Sequence, residues 1–255
     1  MISRIAHNEF IHGTLRKINR KLPPRIASAF YNLARNRNSN YETNEYTRGK
    51  LLRTNTRPAF FEMAFSTIKS NNTGGDYLEF GVKFGSGIHI AHDTATKLGL
   101  QNIRFFAFDS FQGYPHTETE FLTLGERNAS RKDFTDYIAT RGVDLDRIVI
   151  VEGWFDDTLK KDTHLKPNHK LNQASLIHID CDLYDSTVSV LDFIYDLIVP
   201  GTIIVFGDWY IHDRQEGPEA AEQLGYKKAL NESILKSKLR DYYDSDSMKA
   251  FIVVE

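Results

Sequence analysis

Two clusters of residues in this 255-residue chain have the types and spacing to do chemistry. In the first, Asp180 and Asp182 flank Cys181 at the end of the β-rich run SLIHID (175–180), and Asp208 follows the run TIIVF (202–206). If the first run continues as a strand, alternation sets the side chains of Asp180 and Asp182 on one face. Carboxylates so placed are costly to leave without a cation, hydrogen bonds or a proton to accept. His178 precedes Asp180 by two and reads as a core histidine; His212, just past Asp208, is a second candidate base or ligand. Cys181 has no histidine–acid relay around it and reads as a small strand-end residue, not a nucleophile.

In the second cluster, the run YLEFGV (77–82) leads through Gly81, Gly85 and Gly87 into a helical stretch. Glycines allow tight backbone geometry and close approach of a ligand, and a helix amino terminus offers unpaired N–H groups. The next run, RFFAFD (104–109), ends at Asp109, where an acidic side chain can accept both hydroxyls of a ribose. A close helix–strand packing turn would explain the glycines alone; with Asp109 they favour an adenosine-type cofactor. The spacing G-x-x-x-G-x-G also occurs in short-chain dehydrogenases, so NAD(P) is the rival. Those enzymes carry a downstream Tyr-x-x-x-Lys, and here that spacing occurs only at Tyr46–Lys50, upstream of the loop. Glu79, two residues before Gly81, favours S-adenosylmethionine, whose positively charged methionine end an acidic residue helps to orient.

These residues need a frame. Short β-rich runs at 77–82, 104–109, 148–152, 175–180 and 202–206 alternate with helical stretches near 87–98, 130–140, 156–161, 186–198 and 218–237. Such alternation predicts a mostly parallel sheet with helices on both faces. Residues 239–243 and 250–255 have no helix between them and predict a hairpin whose last strand runs antiparallel. Upstream, 1–35 has helical spacing interrupted at Pro23-Pro24, 36–57 reads as a loop or lid, and 58–70 reads as a helix with Pro58 in its first turn. The chain thus divides into a helical, basic segment (1–72) and a cofactor-binding domain (73–255).

Composition is that of an ordinary globular protein, and one cysteine excludes an intramolecular disulfide or a Cys-rich zinc site. MISRIAHNEF lacks the apolar core of a secretory signal, and no run is long enough to span a bilayer; the expected compartment is the cytoplasm. The net charge of −2 hides an asymmetry: residues 1–57 hold 12 Lys/Arg against 3 Asp/Glu, the remainder 20 against 31. The basic segment suits an anionic partner, be it a membrane surface, a nucleotide-linked substrate or the acidic body itself, and equally a solvated helical face. Nucleic acid is not an expected partner. The amino-terminal helices are a candidate surface for homo-oligomerisation.

Four segments, YLEFGVKFGSG (77–87), FAFDSFQGYP (106–115), EGWFDDTL (152–159) and HIDCDLYDSTVSVLDFIYDLIVPGTIIVFGDWY (178–210), resemble the macrocin O-methyltransferase family, whose members methylate sugar hydroxyls on natural products. The resemblance implies a Rossmann-like class I methyltransferase fold: an α/β domain with a seven-stranded, mostly parallel sheet, an antiparallel last strand and added amino-terminal helices. It implies that Glu79, Gly81, Gly85, Ser86 and Gly87 line the methionine side of S-adenosylmethionine. Asp109 and Ser110 would take the ribose, Gly153, Trp154 and Phe155 the adenine side, and Asp180 would adjoin the cofactor. Metal-dependent members hold magnesium through the first aspartate of D-x-D and two adjacent aspartates after the fifth strand, with the second aspartate of D-x-D as general base. Here Asp180 and Asp208 would be ligands and Asp182 the base, with His212 the weaker alternative. The first of the adjacent pair is Gly207, so a magnesium ion would be one ligand short; since magnesium keeps several waters and can sit on few carboxylates, Asp180 and Asp208 could still hold it, more weakly, and it stays a candidate cofactor. That gap keeps alive a degenerate domain that binds without catalysis. The expected acceptor is a sugar or nucleotide-linked sugar. Tyr184 and Trp209 could shape its pocket or simply pack.

Overall fold

The computed structural model describes residues 45–114, 129–160, 163–207, 209, 221–245 and 248–254. Contacts divide the chain into two units, 1–44 and 45–255, and every described element belongs to the second. The helices expected within 1–35 lie outside the described residues.

Helix α1 (Glu45–Asn71) begins well before Pro58, which sits inside it rather than in its first turn. A proline there removes one backbone hydrogen bond. The helix persists because Phe60, Phe61, Ala64, Phe65 and Ile68 form a buried stripe against the sheet. Packing of such a stripe, more than local propensity, decides helix formation. The part of 36–57 from Glu45 onward is therefore helical, and α1 belongs to the sheet-containing unit.

The strands are β1 (Asp76–Phe80), β2 (Phe105–Asp109), β3 (Ile148–Glu152), β4 (Ala174–Ile179), β5 (Ile203–Phe206), β6 (Leu239–Asp244) and β7 (Lys249–Val253), in the spatial order β3-β2-β1-β4-β5-β7-β6. The first five are parallel; β7 pairs antiparallel to both β5 and β6. Alternate strand residues feed two cores. Tyr77, Phe105, Ala107, Leu176, Ile203 and Val205 face α1, α2 (Ser86–Lys97) and α3 (Arg131–Thr140). Leu78, Phe80, Phe106, Phe108, Ile177, Ile179, Ile204 and Phe206 face the other layer, built from α4 (Phe155–Thr158), α5 (Leu165–Asn168), α6 (Tyr184–Ile194) and α7 (Ala221–Glu232). Strands buried on both faces read as continuous apolar runs, as these do.

Strand order reverses between β1 and β4, where the crevice of an open α/β sheet lies beyond the strands' carboxyl ends. Both chemical clusters stand at that end. Among the described residues no helix is long and apolar enough to cross a membrane.

Candidate active site

The glycine loop is tied down from below. Glu79 is only 1% exposed. The Tyr77 hydroxyl donates to Glu79 Oε2 at 2.7 Å, and His178 Nδ1 lies 3.6 Å from Oε1. Burial, then the Glu79 charge, raise the Tyr77 pKa well above its ordinary value, so the phenol stays a neutral donor. A Cβ on Gly87 would stand 2.2 Å from Glu79 Oε1. The carboxylate thus lies against the start of α2, where the helix dipole favours negative charge. Glu79, expected to line the methionine side of the cofactor, lies buried beneath the loop in this structure.

Gly85, with φ 88°, precedes α2 and provides no side-chain cap. Its missing side chain admits Phe134 and Ile138 of α3, since a Cβ would lie 2.7 Å from Ile138 Cγ2. The first-turn N–H groups of α2 are thereby left to a ligand's acceptor atoms. Ser86 is exposed at that turn. Gly81, φ 91°, brings the loop against the end of β4: a Cβ there would stand 2.2 Å from the Asp180 carbonyl oxygen.

Asp109 closes β2 and bridges two loops. Lys83 N–H donates to its Oδ2 and Phe111 N–H to its Oδ1, each at 2.8 Å. Burial raises its pKa above the usual aspartate value, and these backbone donors oppose the rise. A carboxylate has about four acceptor positions, so these backbone donors, with Val82 N–H beside them, still leave capacity for a ribose hydroxyl. Ser110 turns inward, donating to the Gly113 carbonyl at 3.0 Å and accepting from Gln112 N–H. Beyond β3, Gly153 takes φ 136° and its N–H donates to the Asp109 carbonyl at 3.0 Å, while Trp154 precedes α4 half-buried. Phe155 packs edge-on to Phe80 with ring centroids 5.8 Å apart.

The carboxylate cluster differs from the expected alternation. β4 ends at Ile179, and Asp182 adopts a left-handed conformation, φ 65°. Aspartate is among the few non-glycine residues that visit this region with any frequency, and such residues concentrate at functional sites. The turn gives the two carboxylates different partners. Asp180, continuing the face of Leu176 and His178, accepts from Arg57 Nη2 of α1 at 2.7 Å. Asp182 is buried, and its Oδ2 accepts from the Tyr114 hydroxyl. Its backbone N–H donates to the Tyr226 hydroxyl of α7 at 3.0 Å. Burial drives the Cys181 thiol far above its ordinary pKa, which keeps it protonated and unreactive.

Among the described residues the donor set does not suit the magnesium centre that the resemblance implies. Asp180 is engaged by a guanidinium. Gly207 offers no ligand, and a Cβ on it would lie 2.5 Å from Asp180 Oδ1 and 3.0 Å from His178 Nε2. Among the described residues no group of three or more His, Cys, Asp or Glu side chains could hold a metal. Asp208 and His212 lie outside the described residues.

Several partners were not apparent from sequence reasoning. Arg57 ends the stretch read as a loop, Tyr114 stood unremarked in the FQGYP segment, and Tyr226 lay in a helical stretch with no assigned role. A donor that meets a carboxylate across the fold leaves no local spacing signal; the best available hint was that Tyr114 belongs to a segment carrying the resemblance. Trp209 packs on Phe206 of β5 and Phe251 of β7, and the Tyr184 hydroxyl donates to Glu232 of α7.

The fold is shared with solved O-methyltransferases. NovP superposes with a TM-score of 0.64 at 19% identity, covering 78% of this chain and 80% of that one. The calicheamicin methyltransferase CalS11 gives 0.62 at 19% identity, covering 94% and 90%. Among curated proteins, the 8-demethyl-8-(2,3-dimethoxy-alpha-L-rhamnosyl)-tetracenomycin-C 4'-O-methyltransferase of Streptomyces olivaceus is 26% identical over 57% of this chain and 57% of its own length. The demethyldecarbamoylnovobiocin O-methyltransferase of Streptomyces niveus is 27% identical over 56% of this chain and 55% of its own. The matches thus span little more than half of those relatives. The model of the macrocin O-methyltransferase family (TylF) matches residues 49–237, most of the sheet-containing unit and well over half of the chain, and on that match the chain belongs to the macrocin O-methyltransferase family.

Proposed function

We propose that this protein methylates a hydroxyl of a sugar or of a glycosylated or nucleotide-linked small molecule, with S-adenosylmethionine as donor and Asp182 as proton acceptor. The observation that carries the reading is the strained, buried turn at Asp182, held by Tyr114 and Tyr226 at the crevice between β1 and β4. The cofactor-side residues suit the donor: an uncapped helix start after Gly85 for a carboxylate, and Asp109 for the ribose. The donor supplies a methyl group already activated by the adjoining sulfonium, which leaves as a neutral thioether when the acceptor oxygen bonds to the methyl carbon.

The protein's task is alignment and proton removal. Asp182 takes the hydroxyl proton as the oxygen–carbon bond forms. Tyr114, donating to the same carboxylate, fixes its direction. The named relatives, a rhamnosyl-tetracenomycin methyltransferase among them, support a sugar acceptor. The excess of basic residues in 1–57 favours an anionic one. A soluble, S-adenosylmethionine-using enzyme acting on such a precursor would work in the cytoplasm.

A domain that binds without transferring is the second reading, favoured by Gly207 and by the ion pair on Asp180. Family membership sets a nicotinamide enzyme aside. Incubating the protein with labelled S-adenosylmethionine and a panel of sugar nucleotides and desmethyl glycosides separates the two readings. Transfer to a sugar hydroxyl is expected; S-adenosylhomocysteine binding without transfer to any acceptor would favour the second.

A further inference from the structure

The charge at the end of β4 is where the structure departs from the three-carboxylate magnesium centre. A magnesium ion is bound by several oxygens at short range and gives up its waters reluctantly. At Asp180 it would first have to displace a guanidinium at 2.7 Å, in a pair whose side chains are only 14% and 16% exposed. It would then gain nothing from Gly207, whose missing side chain is matched by the close approach of Asp180 and His178 to its backbone. The two features are complementary: the chain omits a carboxylate and supplies a cation. Arg57 reaches the site because α1 is held to the sheet by Phe60 and Phe61 one turn further on and Phe65 two turns on.

We propose that Arg57 is the permanent counter-ion of Asp180, standing in for a divalent metal, and that methyl transfer here is metal-independent. The guanidinium is always charged and presents several donors in a fixed fork. With one Nη on Asp180, it offers a positive field beside the acceptor oxygen as that oxygen loses its proton to Asp182. Arg57 is thus a positioning and electrostatic residue. Its role in turnover rests on the methyltransferase reading above; its pairing with Asp180 in place of a metal does not.

Two measurements on the full chain test this. The first needs no acceptor: magnesium chloride is titrated calorimetrically into the protein with S-adenosylhomocysteine bound. No magnesium binding is expected, and saturable binding lost in Asp180→Asn overturns the proposal. The second uses methyl transfer, with EDTA and with added magnesium. Unchanged turnover in both is expected; loss in EDTA with recovery on magnesium overturns the proposal. Arg57→Ala is expected to lower kcat about 10²-fold, the cost of removing one preorganised donor, with S-adenosylhomocysteine affinity retained. Added guanidinium ion restores part of the rate, and Arg57→Lys retains part of it, neither of which a purely structural role would give. If Arg57→Ala transfers at the parent rate, the catalytic half of the proposal fails. If the parent protein binds S-adenosylhomocysteine but methylates nothing, the methyltransferase reading fails, and the pairing is decided by magnesium calorimetry alone.

Discussion

The proposed cofactor half and the proposed acceptor half of the crevice are built in opposite ways. Around the glycine loop, Glu79, Gly81, Gly85, Gly87 and Asp109 come from β1, the start of α2 and the end of β2, within one stretch of chain. Their polar groups are met mostly by nearby backbone or by residues of adjoining strands. At the end of β4 each carboxylate is met by a side chain from far away in sequence: Arg57 for Asp180, Tyr114 for Asp182, with Tyr226 on the Asp182 backbone. A compact, locally determined site suits a donor that is the same for every member of a family. An assembled site can exchange its parts, and Gly207 with Arg57 is the exchange proposed above.

If the division is real, variants in the acceptor half change turnover and leave S-adenosylhomocysteine affinity alone, while variants in the cofactor half do the reverse. Asp182→Asn is the sharpest break. Asparagine also tolerates φ 65°, so the turn survives and only the proton acceptor is lost. The expected loss in kcat is about 10²–10⁴-fold, with the calorimetric affinity for S-adenosylhomocysteine unchanged. A variant as active as the parent would remove Asp182 from the mechanism.

Tyr114→Phe deletes the hydroxyl that donates to Asp182 and leaves the ring in place. A hydrogen bond to a charged group is worth about 1.5–3 kcal/mol, so kcat is expected to fall roughly 10- to 100-fold at unchanged cofactor affinity. Equal losses in kcat and in S-adenosylhomocysteine binding would show that the two halves are not separable. On the other side, Gly87→Ala forces a methyl group against Glu79 Oε1, where a Cβ would sit at 2.2 Å. Overpacking of this kind costs about 1–3 kcal/mol, read as a lower midpoint in denaturant unfolding. S-adenosylhomocysteine affinity is expected to fall with it, because the start of α2 must move.

The same contrast explains what the sequence disclosed. Strand runs, the glycine loop and the closing hairpin are local patterns of period and composition, and the sheet forms where they lie. The place of Asp109 at the end of β2 was legible because it closes an apolar run at a fixed distance from the loop. The burial of Glu79 was not, since a lone acidic residue in an apolar run gives no sign of which groups will surround it. Pro58 suggested a helix start, but the aromatic stripe after it anchors a longer helix that carries Arg57 to Asp180. Alternation failed at Asp182 because β4 stops at Ile179 and a positive-φ residue turns the chain, in a turn closed by Leu183 N–H on the Cys181 carbonyl and held from outside by Tyr114 and Tyr226.

The smallest expected effect concerns Asp109 and has a definite sign. Burial raises its pKa in the folded protein, against the pull of the Lys83 and Phe111 N–H donors. A group raised in this way binds its proton more tightly folded than unfolded. Its ionised form therefore costs stability above the folded pKa, and that cost is relieved as pH falls through the folded value toward the unfolded one. Ribose hydroxyls need the ionised acceptor, so cofactor binding runs the other way. S-adenosylhomocysteine affinity is expected to decline on acidification, beginning at a pH above that of an ordinary aspartate. The change is about 1 kcal/mol, roughly fivefold. In Asp109→Asn that pH dependence disappears and the affinity is low throughout. Calorimetry across the acidic range reads both. An affinity that is flat in the parent protein would mean that Asp109 holds only the two loops, and the cofactor half would then recognise its ligand through the start of α2 alone.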